Sequence, residues 1–176
     1  MDISVVESFE ATGLASSEDV REALSSLLTD SVESGASVGF VTPFSHADAM
    51  TYWGSVEADM NAGIRKLILA CEGEEILGCV QLSMTDKRNG LHRGEVEKLM
   101  VRTSARGKGI AKRLMLKLEA LAVELDRTLI VLDTRKGDVA STLYINLGYS
   151  FAGEIPNFAL SSDGEYEATV LFYKEL

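Results

Sequence analysis

The hexapeptide Arg106-Gly107-Lys108-Gly109-Ile110-Ala111 has the composition of a seat for a phosphorylated ligand. Glycines at 107 and 109 remove side chains where backbone must approach a ligand closely. A helix starting just after them would aim its unsatisfied first-turn N–H groups at that ligand. A diphosphate would rest on the amides of Gly107, Gly109, Ile110 and Ala111, with Arg106 and Lys108 supplying charge. A magnesium-dependent nucleotidase is a poor fit, because Gly107-Lys108 is followed by Gly109 rather than by the Ser or Thr that would hold the metal. Two carboxylates bracket this corner in the chain. Glu95 opens the apolar run before it, and Asp133 ends the apolar run after it, where functional groups of parallel units collect at carboxyl ends of strands. Asp133 can anchor a substrate cation or share in proton removal; it can equally shape a turn with Thr134.

The elements that must position these residues are legible in the hydrophobic spacing. Ile110, Leu114, Leu118, Leu121 and Leu125 follow one another at four, four, three and four residues, which predicts one apolar face of a helix. The run Glu95-Val96-Glu97-Lys98-Leu99-Met100-Val101 predicts the preceding strand, with Glu95, Glu97, Leu99 and Val101 on one face by alternation. The following strand spans 127–133, and its run Leu129-Ile130-Val131-Leu132 is the pattern of burial on both faces. Strand, helix and strand make a right-handed βαβ unit.

Upstream, Ile3 to Val6 reads as a strand. Ser16-Ser17-Glu18-Asp19 starts a helix whose apolar stripe is Val20, Ala23, Leu24, Leu27, Leu28 and Val32, and Gly35 to Phe40 is a loop. A second helix is expected from near Ser45 to Asn61. Leu67–Cys71 and Glu75–Ser83 form a hairpin around Gly73, and Asn89-Gly90 marks a turn. Downstream, Asp138 can cap a short helix turning Val139, Ala140, Leu143, Tyr144 and Leu147 inward. Strands Tyr149–Ile155 and Ala168–Tyr173 follow, joined by a loop with Asp163-Gly164 at its tip.

On these residues the chain resembles the GNAT superfamily of N-acetyltransferases. Arg106-x-x-Gly109-x-Ala111 after Leu99-Met100-Val101 looks like that superfamily's acyl-CoA signature, and Tyr144 to Tyr149 supplies a downstream Tyr-x-x-x-Gly-Tyr. Within it, Gly90-Leu91 with Glu95-Val96-x-Lys98-Leu99-Met100-Val101, then Leu132-Asp133-Thr134, then Gly153-Glu154-Ile155-Pro156, are similar to the tabtoxin-resistance acetyltransferases, which act on a β-lactam phytotoxin. The resemblance implies an α/β (α+β) fold: one domain over 1–176, with a mixed central sheet of about six to seven strands and flanking helices. It implies acetyl-CoA as co-substrate, a small-molecule amine as acceptor, and a toxin or antibiotic resistance activity. It also implies roles. Glu95 would be the general base, against the alternative of an edge carboxylate paired with Arg93 or Lys98. Main-chain amides of Leu99, Met100 and Val101 would polarise the thioester carbonyl, and Tyr144, with an ordinary phenol pKa near ~10, would protonate the leaving thiolate or hydrogen-bond its sulfur, plain core packing being the alternative. Val38, Phe40, Phe44 and Trp53 would line the acceptor pocket with Asp133, core packing being the alternative for Trp53. A different class of function, a non-catalytic acyl-CoA-binding regulatory module, would keep the cradle without the catalytic trio Glu95, Asp133 and Tyr144.

Composition narrows the partners. The net charge of -10 lies in residues 1–63, which carry eleven acids and one base; residues 64–176 carry sixteen of each sign. Seven bases from Lys98 to Lys117 have no acid among them. One reading is an anionic cofactor on the basic block and a cationic substrate drawn to the acidic half; the other is solvated helix faces. An acidic chain repels nucleic acid. The start of the chain lacks an apolar leader and no run approaches the ~20 apolar residues that cross a bilayer, so a cytoplasmic protein without membrane association is expected. Cys71 and Cys79 are out of register for a disulfide, since a turn at Gly73 pairs Cys71 with a residue near 76. His46 and His92 stand alone, which argues against a metal. Exposed strands near the C-terminus would suit a homodimer.

Overall fold

The computed structural model describes residues 1–12, 16–161 and 163–176. Eleven regular elements follow one another: β1 (Asp2–Val6), α1 (Ser17–Glu33), α2 (His46–Asn61), β2 (Arg65–Glu72), β3 (Glu75–Met84), β4 (Arg93–Val101), α3 (Ile110–Glu124), β5 (Leu129–Arg135), α4 (Ala140–Asn146), β6 (Ser150–Leu160) and β7 (Tyr166–Glu175). Short 3-10 turns lie at Phe9–Thr12 and Thr103–Ala105. The strands form one mixed seven-stranded sheet in the order β1-β2-β3-β4-β5-β7-β6. Only β4 and β5 run parallel, joined through α3 as the sequence predicts.

Alternation along the strands splits the core in two. Ile68, Ala70, Val80, Leu82 and Val96 pack with Ile110, Leu114, Leu118 and Leu121 of α3 and with Tyr144 and Leu147 of α4. Leu67, Leu69, Ile76 and Cys79 pack on the other face with the α1 stripe Val20, Leu24, Leu27, Leu28 and Val32 and with Trp53, Val56 and Met60 of α2. Full burial of each such side chain contributes about 1.5–3 kcal/mol. Both long N-terminal helices start on serine caps: Ser16 accepts from the Asp19 amide, and Ser45 with Asp48 forms a reciprocal capping box. Among the described residues no helix is long and apolar enough to cross a membrane.

The structure corrects several expectations. Glu95 and Glu97 do not share a face with Leu99 and Val101. Lys98 adopts φ 50°, and the pairing steps from Gln81↔Glu97 to Cys79↔Met100, so one extra residue sits in β4. This bulge reverses the alternation: Val96 faces α3, whereas Met100 joins the α1/α2 core. The Lys98 carbonyl accepts the Cys79 thiol at 3.6 Å. In β5 only Ile130 and Leu132 are buried, and Leu129 and Val131 are half-exposed, so the strand is covered on one face rather than on both. Val139 is 85% exposed rather than inward. β6 runs on to Leu160 past Pro156, accommodated by a register shift between Ile155 and Ala159 and by φ 51° at Asn157. Cys71 pairs with Ile76 as expected, and both cysteines are free.

The bulge is braced from β3. A Cβ added at Gly78 would lie 2.7 Å from the Met100 carbonyl oxygen, a backbone atom that cannot step aside. Gly54, in the middle of α2, has nothing within 4 Å of the same position. We therefore expect Gly78→Ala to destabilise the fold by about 1–3 kcal/mol and Gly54→Ala to stabilise it by about 0.5–1 kcal/mol. Thermal unfolding of the two variants should move in opposite directions.

Candidate active site

β4 and β5 stay together for only three register pairs, Arg93↔Leu129, Gly94↔Ile130 and Glu95↔Val131. Beyond them the strands part. β5 remains paired along its whole length with β7, and β4 remains with β3. The gap is a cleft of about 970 Å³ walled by Val96 to Val101 on one side and by Asp133, Thr134 and Arg135 on the other. The backbone edges of both strands therefore face a ligand instead of each other.

At one mouth lies the glycine corner. Gly107 and Gly109 take φ +77° and +75°, and a Cβ at either would meet nothing within 4 Å. Gly109 is the N-cap of α3 in the left-handed conformation, and no side chain caps the helix there. The first backbone bond across this end runs from the Arg113 amide to the Gly109 carbonyl at 3.2 Å, which leaves the preceding amides to a ligand. Arg106, Gly107, Gly109, Ile110 and Ala111 line the cleft; Lys108 does not, and Lys112, in the first turn of the helix, does. Arg106 is braced, its Nε donating to the Val101 carbonyl at 3.1 Å and a terminal nitrogen to Ser34 Oγ at 2.8 Å. The Asp30 carboxylate accepts from the amide and the hydroxyl of Thr103 at 2.8 and 2.7 Å, tying α1 to the same corner.

The loop from Ser34 to Val41 leads away from that corner along the cleft and brings Val38 and Phe40 to its wall. Phe40 stacks with Phe44 and Tyr52 at 4.7 and 5.2 Å. Trp53 is 0% exposed and absent from the cleft wall, so of its two sequence readings the core one holds. Its neighbour Tyr52 is also absent from the cleft wall but backs it, its ring lying against Phe40 and Lys98, both of which line the cleft. Its hydroxyl donates to Gln81 Oε1 at 3.1 Å. Arg65 donates to that same oxygen at 2.6 Å, to Glu97 at 2.8 Å and to Asp59 at 3.1 Å, which fixes the Glu97 carboxylate at the cleft wall.

Three carboxylates share this face. Glu97 is held by Arg65, and Asp133 accepts the Thr169 hydroxyl at 2.7 Å; both line the cleft. Glu95 occupies the last paired position before the strands part, and it lines a smaller adjoining hollow with Ser83, Thr85 and Arg93. Among the described residues no cation lies within 4 Å of it, so neither Arg93 nor Lys98 forms the edge pair that was its alternative role. Desolvation raises its pKa above the usual carboxylate value, and the like charges of Glu97 and Asp133 add to this. Tyr144 is buried at the cleft wall against Tyr149 and Phe172. Burial first, then the charges of Asp138 and Asp133, push its phenol well above the ordinary value. It stays protonated at any working pH, a donor and never a base.

None of the eleven acids of residues 1–63 lines the cleft. Some pair with basic groups, as Glu57 does with Arg21 and Glu22 with His46, and Asp30 ties elements together. Of the basic block, Lys98, Arg106 and Lys112 reach the cleft. No group of three or more His, Cys, Asp and Glu among the described residues could hold a metal ion.

Comparison with known proteins agrees with this architecture. The chain is similar over 100% of its length, and of the other's, to the ribosomal-protein-alanine N-acetyltransferase of Brucella melitensis, at 19% identity and a TM-score of 0.78. It matches an N-acetyltransferase of Staphylococcus aureus at 17% identity, covering 99% of each chain with a TM-score of 0.77. It also matches the Salmonella typhimurium protein yncA, solved with its cofactor acetyl-CoA, at 15% identity, 99% and 94% coverage and a TM-score of 0.75. Residues 30–149, which run from Asp30 through the glycine corner to Tyr149, match the sequence profile of the Acetyltransferase (GNAT) family, and the chain belongs to that family.

Proposed function

We propose that this protein transfers the acetyl group of acetyl-CoA to the amine of a small molecule. The observation that carries the reading is the parting of β4 from β5, which opens a slot with a diphosphate seat at one mouth and a carboxylate-bearing, aromatic-walled chamber at the other. The residues fit acetyl-CoA: the glycine corner has open space where side chains would stand, and the amides before Arg113 face it. Bound there, acetyl-CoA supplies an activated thioester. Arg106, Lys112 and the first-turn amides of α3 hold the diphosphate, and the free edge of β4 at Leu99 to Val101 offers N–H groups to the carbonyl. Glu95 collects the ammonium proton through a water, because it adjoins the cleft without lining it. Asp133 and Glu97 orient the amine. As the C–N bond forms and the C–S bond breaks, the Tyr144 hydroxyl donates a hydrogen bond to the departing sulfur, and the thiolate takes up through water the proton that the acylated nitrogen sheds.

The finer readings rest on the sequence resemblance. Toxin or antibiotic resistance draws support from the runs shared with the tabtoxin-resistance enzymes, and a cytoplasmic site from two unpaired thiols whose pKa values burial raises. A homodimer has a surface to use, since edge strand β6 exposes Phe151, Ile155, Phe158 and Leu160; sedimentation should then show two copies per particle. The rival reading, a binding module without turnover, shares the cradle but has no use for a buried donor and an unpaired carboxylate together.

Thiol release from acetyl-CoA with a panel of amines tests the assignment; binding without release for every amine would leave the module. Gly109→Val should raise the acetyl-CoA Kd at least about tenfold, as a β-branched residue must take the left-handed conformation, and calorimetry reads it. Tyr144→Phe should lower kcat about 10²-fold and leave acetyl-CoA affinity near wild type; unchanged turnover removes it from the mechanism. Glu95 must be ionised to act, so the acid limb of kcat/KM should lie above the usual carboxylate range. Glu97→Gln deletes a like charge, eases that ionisation and should move the limb to lower pH.

A further inference from the structure

The acceptor chamber contains a cation that the chain does not neutralise. Lys98 lines the cleft from the bulge of β4, and its Nζ lies 5.6 Å from the centre of the Phe40 ring and 5.5 Å from that of Tyr52. Among the described residues no carboxylate comes within 4 Å of it, and no oxygen accepts a hydrogen bond from it. The other cleft cations are engaged or belong to the far mouth. Arg135 faces Glu167 and Asp138 at 3.4 and 3.7 Å, Arg106 is bonded to Val101 and Ser34, and Lys112 stands at the diphosphate end.

An ammonium carries three donors, and two ring faces satisfy its charge in part and none of those donors. Withdrawing it partly from water carries a cost, seen in a pKa lowered by desolvation despite the nearby Glu97. The chain meets a second cost in the same residue, a left-handed backbone at a side chain other than glycine. The acceptor loop also makes room: a Cβ at Gly39 would stand 3.4 Å from Nζ, and Gly39 itself takes φ +84°. A lysine serving the fold alone would have an acidic partner or reach solvent. Here backbone, rings and loop converge to hold unused donors toward the chamber.

We propose that Lys98 anchors a carboxylate of the acceptor, so that the amine acetylated belongs to an amino acid or an amino-acid-like small molecule rather than to a plain or polycationic amine. Glu97 and Asp133 take the ammonium end and Lys98 the carboxylate end, which orients a zwitterion across the chamber. A polyamine would gain from the two acids and lose against Lys98. This specificity rests on the acetyl-transfer reading for its consequence, but not for its binding step.

The test compares the proteinogenic L-amino acids with their carboxamides and with the corresponding decarboxylated amines, in wild type, Lys98→Met and Lys98→Arg. Met keeps the apolar stem on the rings and deletes the charge; Arg keeps the charge. Wild type should favour at least one acid over its carboxamide tenfold or more in kcat/KM, carried by KM. Lys98→Met should collapse that ratio toward one, and Lys98→Arg should retain most of it. Calorimetric titration of the same pairs into the complex with coenzyme A, where no chemistry occurs, should show the same preference in Kd. Equal treatment of acid and carboxamide by wild type in both measurements, or an undiminished ratio in Lys98→Met, overturns the proposal. Turnover without carboxylate preference would sink the anchor and leave acetyl transfer standing. Carboxylate-dependent binding without turnover of any amine would do the reverse.

Discussion

Everything functional in this molecule depends on two neighbouring strands that separate. β4 and β5 are the parallel pair of the sheet, and each has a second partner that it keeps to the end: β3 for β4, β7 for β5. A sheet closed across all seven strands would consume the backbone groups of Val96 to Val101 in its own ladder. Because pairing stops at Glu95 and Val131, two smaller sheets splay from a short hinge and those groups are left for a ligand. The bulge at Lys98 contributes to the divergence, since an extra residue bends a strand and increases its twist. It also redirects side chains: Met100 seals the α1/α2 core while Lys98 swings to the acceptor chamber.

The electrostatics follow from the same opening. Charge segregation along the chain left two readings, an acidic substrate-binding half or solvated faces, and none of the eleven N-terminal acids lines the cleft. The cleft acids Glu97 and Asp133 come from β4 and β5, the strands that part. Position in the fold outweighs regional net charge because exposed charges farther off than the ~8–10 Å screening length scarcely act on a site. Within the cleft the division is sharper than composition suggested: Arg106 and Lys112 sit by the glycine corner, carboxylates flank the far end, and Lys98 stands among them.

How far the site was legible in the sequence varied with the kind of signal. The α3 stripe, the glycine corner, the serine caps and the hairpin register were all readable, because each rests on a local rule of period or conformation. The facing of β4 was misread because period-two counting assumes no inserted residue, and a bulge centred on lysine carries no glycine to mark it. The end of β6 was misplaced because Pro156-Asn157 looks like a break; on an edge strand the missing proline N–H costs the sheet nothing. Trp53 carried both a pocket and a core reading, and only packing decides between them: it lies with Val56 and Met60 in the α1/α2 core. Lys112 was missed. Charge was assigned only to Arg106 and Lys108, which flank Gly107, whereas Lys112 in the first turn of α3 is the lysine that lines the cleft.

The corner and the chamber are bound to each other through α1. The C-terminal end of that helix supplies Asp30 to Thr103 and its cap residue Ser34 to Arg106, and the loop that walls the acceptor chamber starts at the next residue. The contacts that shape the glycine corner therefore also fix the point from which Val38, Gly39 and Phe40 depart. Phe40 in turn meets Lys98, whose backbone lies on the part of β4 that has left β5. The path from seat to loop to aromatic ring to β4 is a closed circuit of direct contacts. A ligand that tightens the corner has a physical route to the acceptor wall that does not cross the core. An acceptor held between Lys98 and the carboxylates would press on the same circuit from its other end.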